Sequence, residues 1–163
     1  MSRVITRGAA RAVAVVVCVA AVSTATVALA AATPLVRVVH NAHLKAAILV
    51  DRSGRTLYHL SVEQKGHFVC TDTACLSFWR PLVVTKKVKP TGAPSLGTVI
   101  RPDGRLQVTY QGGPLYTFVG DAKPGDTKGE GFKDVGVWHA ATRGGSAAAK
   151  APPSAGGYGA YGP

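Results

Sequence analysis

The feature that most constrains the fold is a short internal repeat. A ten-residue segment recurs at an offset of 58 residues, with a Leu-Tyr pair ending at Tyr58 in the first copy and at Tyr116 in the second. Each copy is followed by a tryptophan, Trp79 in the first and Trp138 in the second. A unit this short cannot bury its own apolar face. We therefore predict that the two halves pack against each other with pseudo-twofold symmetry.

Alternating apolar and polar residues between turns rich in Gly and Pro predict β-structure. Strands are predicted at residues 46–50, 55–60, 83–88, 98–101, 106–110, 115–119 and 136–140, and the lead-in before them offers a further strand start at residues 35–39. The first two are predicted to form a hairpin, because Gly54 supplies the positive φ that a tight turn requires. Helical periodicity after residue 32 extends over no more than about two turns. We predict an all-β fold, a small sandwich or barrel of two repeats, after an N-terminal signal helix.

The N-terminus has the composition of an export signal. Arg3, Arg7 and Arg11 precede an apolar run over residues 12–32, and the run contains a small-x-small sequence that ends at Ala30. This pattern is typical of a secretory signal peptide, so we expect cleavage after Ala30. An uncleaved signal anchor is the alternative, since about 20 apolar residues span a bilayer. Both place the rest of the chain outside, either secreted or on the outer face of the cytoplasmic membrane.

Composition divides the chain into four parts. We expect a signal at 1–30, a lead-in at 31–44, a β-domain at 45–143 with repeats at about 45–89 and 96–143, and a tail at 144–163. The tail contains no Leu, Ile, Val or Phe, so it cannot offset its ordering entropy and is predicted to be disordered. Cys18 follows Val17 rather than a small residue, so we expect no lipid anchor there.

The exported part is strongly basic. It keeps 16 of the 19 Lys and Arg residues against all 8 acidic ones, a formal charge of +8. Five cations fall between Asp72 and Asp103 with no acid among them: Arg80, Lys86, Lys87, Lys89 and Arg101. Such a patch attracts anionic wall or membrane polymers, with a solvated basic loop as the alternative. We expect no nucleic-acid binding, because the aromatic interleaving of single-strand binders is missing.

The repeat resembles the bacterial family called secreted repeat of unknown function, predicted lipoproteins with a Tyr-x(4)-Asp signature. Residues 116–121 carry the full signature, and Tyr58 to Glu63 carries it with Glu in place of Asp. Cys70 and Cys75 stand where the family has a cysteine pair, and Trp79 begins its Trp-Pro-Pro-Leu sequence with Arg in place of the first Pro. The resemblance covers about residues 45–143 and implies export and a fold, without an activity.

Cys70 and Cys75 are the two cysteines of the exported part. In an oxidising compartment, such a pair is typical of one structural disulfide. Two alternatives are weaker. A redox-active pair lacks the C-x-x-C spacing, and a metal site that adds His67 still lacks one ligand for structural zinc.

Among the remaining residues, the signature residues are the main candidates for binding. Tyr116 and Phe118 share one face of a strand, with Asp121 beyond its end. They would form an aromatic platform with an acidic lip, suited to a sugar or an amphipathic ligand. The other candidate binding residues are Tyr58, Glu63, Trp79 and Trp138. The alternative is core packing, with Asp121 fixing the following loop through backbone N–H groups.

Four acids lie in one Gly-rich loop, namely Asp121, Asp126, Glu130 and Asp134. Oxygen ligands on a flexible loop suit Ca²⁺, but the spacing is not that of an EF-hand and lysines are interleaved. A solvated loop is the alternative. His67, Asp126 and Glu130 are thus only weak metal candidates, and we expect no cofactor.

Catalytic motifs are missing from the sequence. Neither Gly-x-Ser-x-Gly nor His-Glu-x-x-His occurs. The five histidines are not at ligand spacing and are expected at the surface. We therefore predict a non-enzymatic envelope domain that binds anionic polymers through a basic face. The alternative is an extracytoplasmic redox or metal- or haem-handling module that uses the Cys70/Cys75 loop.

Overall fold

The computed structural model describes residues 33–64, 66–85 and 88–146. The signal segment, Lys86, Lys87 and residues 147–163 lie outside the described residues. The described part is built from short strands, which confirms the all-β prediction. The elements are β1 (Val36–Asn41), β2 (Ala46–Asp51), β3 (Leu57–Leu60), α1 (Thr73–Phe78), β4 (Trp79–Pro81), β5 (Val83–Val84), β6 (Leu96–Ile100), β7 (Leu106–Tyr110), β8 (Gly113–Pro114), β9 (Tyr116–Phe118), β10 (Trp138–Thr142) and β11 (Gly145–Ser146).

Two antiparallel hairpins begin the two halves. β1 pairs with β2 over six residue pairs, and β6 pairs with β7 over five. The second hairpin closes at the predicted turn around Gly104. The predicted hairpin between residues 46–50 and 55–60 is wrong, because beyond one bridge at Val50 and Thr56 the chain turns away. β3 pairs instead with β9 and β10, which places Leu57 and Tyr58 in two different cores.

The strand registers show the predicted pseudo-twofold symmetry. One sheet has the order β1-β2-β10-β3-β9-β4, and the other has the order β5-β7-β6 with β8 beside β7. Tyr58 faces its repeat equivalent Tyr116 across β3 and β9. Trp138 pairs with Leu60 on one side, and Trp79 pairs with Phe118 on the other. The local twofold axis therefore passes between the two tyrosines.

Successive side chains at β3 and at the start of β9 point to opposite faces of the sheet, where they enter two different hydrophobic clusters. One cluster contains both tyrosines of the repeat, both tryptophans and Cys70. The other contains Leu57, its repeat equivalent Leu115, and residues of both hairpins such as Leu49 and Val108. β3 thus contributes to both clusters, and so do Leu115 and Tyr116 at the start of β9, which is the pattern of a strand covered on both faces.

The folded part extends beyond the predicted limits of 45 and 143. At its start, the strand expected at residues 35–39 of the lead-in is present as β1, which pairs with β2, and buried Val36 donates its amide to the carbonyl of Thr91. At its end, β11 pairs with β10 within the segment predicted as a tail. Backbone pairing orders β11 without large apolar side chains, which composition alone does not show.

Gly92 lies where the connection between the repeats passes close to β1. A Cβ atom there would lie 1.6 Å from the carbonyl oxygen of Val36, and the φ of Gly92 is +115°. Gly104 also has a positive φ, +79°, but a Cβ there meets nothing within 4 Å. Substitutions at the two glycines therefore separate the cost of a positive φ from the cost of a steric clash.

We expect Gly104→Ala to lower the free energy of unfolding by about 1–2 kcal/mol, the cost of a left-handed alanine. Gly92→Ala adds a clash with backbone and should lower it by more than about 3 kcal/mol. Urea unfolding followed by tryptophan fluorescence measures both values. Equal losses for the two variants would contradict the close approach of Gly92 to β1.

Candidate functional site

The acidic residue of each repeat accepts a hydrogen bond from the tyrosine of the other repeat. The Tyr58 hydroxyl donates to Oδ2 of Asp121 at 2.7 Å. The Tyr116 hydroxyl donates to Oε2 of Glu63 at 2.8 Å. All four side chains are buried. The signature therefore joins the repeats through two reciprocal hydrogen bonds across the pseudo-twofold axis.

Each of these carboxylates also fixes a loop of its own repeat. Oε1 of Glu63 accepts from the amides of Val69 and Cys70, both at 2.7 Å. Oδ1 of Asp121 accepts from the amide of Lys128 at 2.9 Å. Within the described residues, no buried side-chain nitrogen or oxygen lacks a hydrogen-bond partner. The two carboxylates are thus satisfied by the protein itself.

Burial sets the protonation of the tyrosines. It raises the pKa of Tyr58 and of Tyr116 well above the usual range, and the neighbouring carboxylates raise both values further. Burial also raises the pKa of Asp121, although its hydrogen bond from Tyr58 acts in the opposite direction. Both tyrosines are therefore neutral hydrogen-bond donors at physiological pH.

The two tryptophans stack on each other in the same cluster. The ring centroids of Trp79 and Trp138 are 3.8 Å apart, with an angle of 7° between the planes. Tyr58 meets Trp79 edge-on at 5.4 Å, and Tyr116 meets Trp138 edge-on at 5.1 Å. Phe118, which is half-buried, packs on Trp79 at 4.5 Å.

The structure thus brings all seven predicted binding residues together, but as part of the core. Six of them are buried, and only Phe118 reaches solvent in part. Their positions fit the alternative stated above, in which the aromatic side chains fill the core and Asp121 fixes the following loop through a backbone N–H group. Their placement as an exposed platform is corrected, because pairing of β3 with β9 turns the aromatic face inward.

Arg101 is also buried, although the sequence places it in a basic patch. Its Nη1 donates to Oε1 of Gln107 at 2.5 Å and to the Tyr116 hydroxyl at 3.1 Å. Its Nη2 donates to the carbonyl of Cys70 at 2.8 Å, and the guanidinium lies 5.0 Å from the ring centre of Phe68. Arg101 therefore leaves the predicted patch. Of its other members, Arg80 and Lys89 are exposed.

The predicted disulfide between Cys70 and Cys75 is present. It closes the short loop that leads into α1, whose first turn is capped when Oδ1 of Asp72 accepts from the amide of Cys75 at 2.9 Å. His67 is exposed, and its Nδ1 lies 3.3 Å from the carbonyl oxygen of Val62. The described residues contain no group of three or more His, Cys, Asp or Glu side chains placed to hold a metal.

The four loop acids bind protein donors instead of converging on one point. Asp121 binds Tyr58, and Asp126 binds backbone amides of its own loop. Glu130 accepts from the amide of Ala140 at 2.6 Å. Asp134 accepts from the indole N–H of Trp138 at 3.1 Å. The four carboxylates therefore do not converge as a calcium site would require, because each of them binds a different protein group.

A pair of histidines was missed from the sequence. His59 and His139 are directly opposite in β3 and β10, with ring centroids 6.0 Å apart. Nδ1 of His139 lies 3.0 Å from Oε1 of Glu130. Burial, together with the proximity of His139, lowers the pKa of His59 to about 4, although Glu130 acts in the opposite direction. The expectation of surface histidines is corrected here, since only strand pairing reveals the contact.

A group of exposed basic side chains surrounds the loop of residues 121–128. We call this group the basic surface; it consists of Arg37, His43, Arg52, Lys123 and Lys128, all of them exposed. The sequence does not group them, because they come from β1, two turns and the loop.

Backbone contacts hold this surface together. The guanidinium of Arg37 lies 3.5 Å from the carbonyl oxygen of Arg52. The amide of Gly125 donates to the carbonyl of Gly54 at 3.3 Å, and Nδ2 of Asn41 donates to the carbonyl of Gly125 at 2.9 Å. The loop is thus fixed across the ends of β1 and β2, and a shallow depression of about 370 Å³ lies between His43 and the loop.

Asp126 lines the same depression, but its charge is engaged by the loop. Its Oδ2 accepts from the amides of Lys123 and Ala122 at 3.1 and 3.0 Å and lies 3.7 Å from Nζ of Lys128. The Lys123 amide is the main cause of the lowered pKa of Asp126, to which Lys128 and the Ala122 amide add. The carboxylate is therefore ionised and turned toward the loop backbone.

Comparison with known proteins identifies one repeat. Residues 97–142 match a family model described as a secreted repeat of unknown function. The matched segment runs from β6 into β10, which is the second half of the pseudo-twofold fold. The predicted resemblance is confirmed over this second half, and the description of the family as secreted agrees with the predicted export. Neither the curated proteins nor the solved structures give a match.

No helix within the described ranges is long and apolar enough to cross a membrane.

We expect the reciprocal bonds to contribute strongly to stability. Tyr58→Phe leaves a buried carboxylate without one donor and should lower the free energy of unfolding by about 1.5–3 kcal/mol. Tyr110→Phe is the control, because its hydroxyl makes only two long contacts, at 3.3 and 3.4 Å, and the variant should lose less than about 1 kcal/mol. Urea unfolding of both variants measures the difference. A loss for Tyr58→Phe no larger than that of the control would contradict the role of the bond.

The histidine pair predicts a loss of stability in acid. His59 has a folded pKa of about 4 and an ordinary value of 6.5, so the unfolded chain binds more protons between these values. Its contribution is fully present above pH 6.5, declines as the pH falls, and reaches a loss on the order of 3 kcal/mol near pH 4. His59→Gln should flatten this part of the stability profile, whereas His67→Gln, at an exposed position, should leave it unchanged. An unchanged profile in His59→Gln would refute the assignment.

Proposed function

We propose that this chain is an exported, non-enzymatic domain that binds anionic polymers of the cell wall or membrane through the basic surface. The supporting observation is the convergence of five exposed basic side chains around one loop that is fixed by backbone hydrogen bonds. The family description supports export. The proposal includes a location at the cell envelope. Retention on the outer face of the cytoplasmic membrane is one form of that location.

The charge balance favours an anionic partner. Arg37, Arg52, Lys123 and Lys128 are positively charged at neutral pH, and Asp126 offsets one of them from within the loop. Exposed cations on a fixed backbone attract a polyanion through long-range electrostatic interactions, which salt weakens by screening. A repeating anion suits this surface better than a single ion, because the cations are spread around the depression rather than directed at one point.

The buried acids support a role without catalysis. Glu63 and Asp121 are engaged by tyrosine hydroxyls and backbone amides, which leaves them in structural roles rather than as general acids or bases. The Cys70 side of the disulfide is equally engaged, because its amide donates to Glu63 and its carbonyl accepts from Arg101. This arrangement fits a structural disulfide better than the alternative of a redox or metal-handling loop.

Binding to two probes tests the proposal. The full exported chain is mixed with long-chain polyphosphate, or with vesicles containing phosphatidylglycerol, and phosphatidylcholine vesicles serve as the neutral control. We expect saturable binding to both anionic probes that weakens as salt increases. Binding at the same strength to phosphatidylcholine, or binding that ignores ionic strength, would overturn the proposal.

Two double variants with the same net charge locate the site. Lys123→Gln with Lys128→Gln removes two charges from the basic surface, and Arg80→Gln with Lys89→Gln removes two exposed charges elsewhere. At about 1 kcal/mol per cation near an anionic surface, the first pair should weaken binding roughly tenfold to thirtyfold. The second pair should weaken it less than about threefold. Equal losses would show that only net charge matters and would contradict a defined surface.

A further inference from the structure

A second surface has the opposite chemical character. Three large apolar side chains that face solvent, Phe78, Phe132 and Val135, line one cleft between α1 and the loop of residues 129–135. Trp79, which carries the tryptophan stack, lines its inner side, and the disulfide through Cys75 lines one wall. The cleft has a volume of about 330 Å³. That volume lies in the lower range of small-molecule sites in proteins.

The charged groups at this cleft are acidic. Asp72 and Asp134 are exposed and line it, and no Lys or Arg is among the described residues that do. In a basic domain, this is a local reversal of charge. Both carboxylates are held in place, Asp72 by its cap on the Cys75 amide and Asp134 by the indole N–H of Trp138. The negative charge is therefore fixed at the edge of an aromatic cleft.

Both walls are fixed independently of a ligand. α1 has no fully buried residue, and it is held by the packing of half-buried Leu76 against the core, the disulfide, its cap and the bond from the Val119 amide to the Phe78 carbonyl at 2.9 Å. The opposite loop approaches the core at Gly129, where a Cβ would lie 2.7 Å from the Trp79 ring. A pre-formed cleft avoids the entropic cost of ordering its walls on binding.

We propose that this cleft is a ligand site, formed by other residues than the basic surface, for a small molecule with an apolar body and a cationic end. The apolar body would cover the exposed rings of Phe78 and Phe132, which is favourable because it removes apolar area from water. The cationic end would lie toward Asp72 and Asp134, where carboxylates and ring faces attract a positive charge. The acidic edge disfavours the anionic partners that the basic surface attracts, so the two sites select different molecules.

Three probes of equal size separate charge from apolar contact. Phenylbutylamine is a cation at neutral pH, phenylbutanol is neutral and phenylbutyrate is an anion. The two tryptophans of the chain both contact this cleft or its floor, so intrinsic fluorescence of the full exported chain reports binding. We expect saturable changes, with the amine bound about two- to fivefold more tightly than the alcohol and the carboxylate bound most weakly. Equal or tighter binding of the carboxylate, or no saturable change with the amine, would overturn the proposal.

Variants then assign the site to its two chemical parts. Asp72→Asn with Asp134→Asn keeps the helix cap, because Asn caps as well as Asp, and should remove the preference for the amine while alcohol binding remains. Val135→Ser should weaken all three probes, whereas Ile100→Ser, with the same exposed fraction of 65% but outside the cleft, should not. An amine preference that survives the double variant, or equal effects of the two serine variants, would refute the site. Polyphosphate binding reports on the basic surface alone, so a failure of one proposal can be distinguished from a failure of the other.

Discussion

The structure depends on the pairing of two tyrosines with carboxylates of the opposite repeat. Burying an ionised carboxylate is costly unless hydrogen bonds compensate, and Glu63 and Asp121 each receive a donor from the other half of the fold as well as backbone donors. Because each half supplies what the other lacks, neither carboxylate is satisfied until the halves dock. The tryptophan stack lies in the same cluster and adds apolar contact to this polar requirement. The need to hydrogen-bond both buried carboxylates thus sets the register between the two repeats, and aromatic packing stabilises the paired arrangement.

Symmetry in the core leaves the surface free to differ between the repeats. In the first repeat the carboxylate fixes the segment that carries the disulfide and α1, and buried Arg101 binds the carbonyl of Cys70 from the other side. In the second repeat the carboxylate fixes the glycine-rich loop at Lys128, and no helix forms there. One loop therefore contributes lysines to the basic surface and the other forms a wall of the apolar cleft. Both proposed sites lie in loops that the same pair of hydrogen bonds orders.

Local signals predicted much of this fold. Turn chemistry at Gly104 and alternating strands gave the second hairpin, and the cysteine pair gave the disulfide. The features that were not predicted depend on contacts between segments that are distant in the sequence. Arg101 belongs to a run of cations, and nothing nearby in sequence indicates that Gln107, Tyr116 and Cys70 accept its hydrogen bonds. The basic surface and the histidine pair were missed for the same reason, because strand order rather than spacing brings their members together. The predicted first hairpin was wrong because β2 pairs with β1, which precedes it in the chain, whereas β3 pairs with β9 and β10.

The symmetry also explains why a family signature can be structural. The matched segment, residues 97–142, is one half of the fold. Taken alone, it would leave the Tyr116 hydroxyl without Glu63, Asp121 without the Tyr58 donor, and Trp138 without its stacking partner. Such a unit has a carboxylate that keeps its backbone donor but lacks the tyrosine donor, and an exposed aromatic face, which together disfavour a stable monomer. In this chain, the Tyr-x(4)-Asp pattern therefore joins the two repeats, and Glu63 in place of Asp preserves the contact because its carboxylate still reaches the Tyr116 hydroxyl. The loops that these carboxylates fix differ between the two repeats, so the same pair of bonds supports two different surfaces.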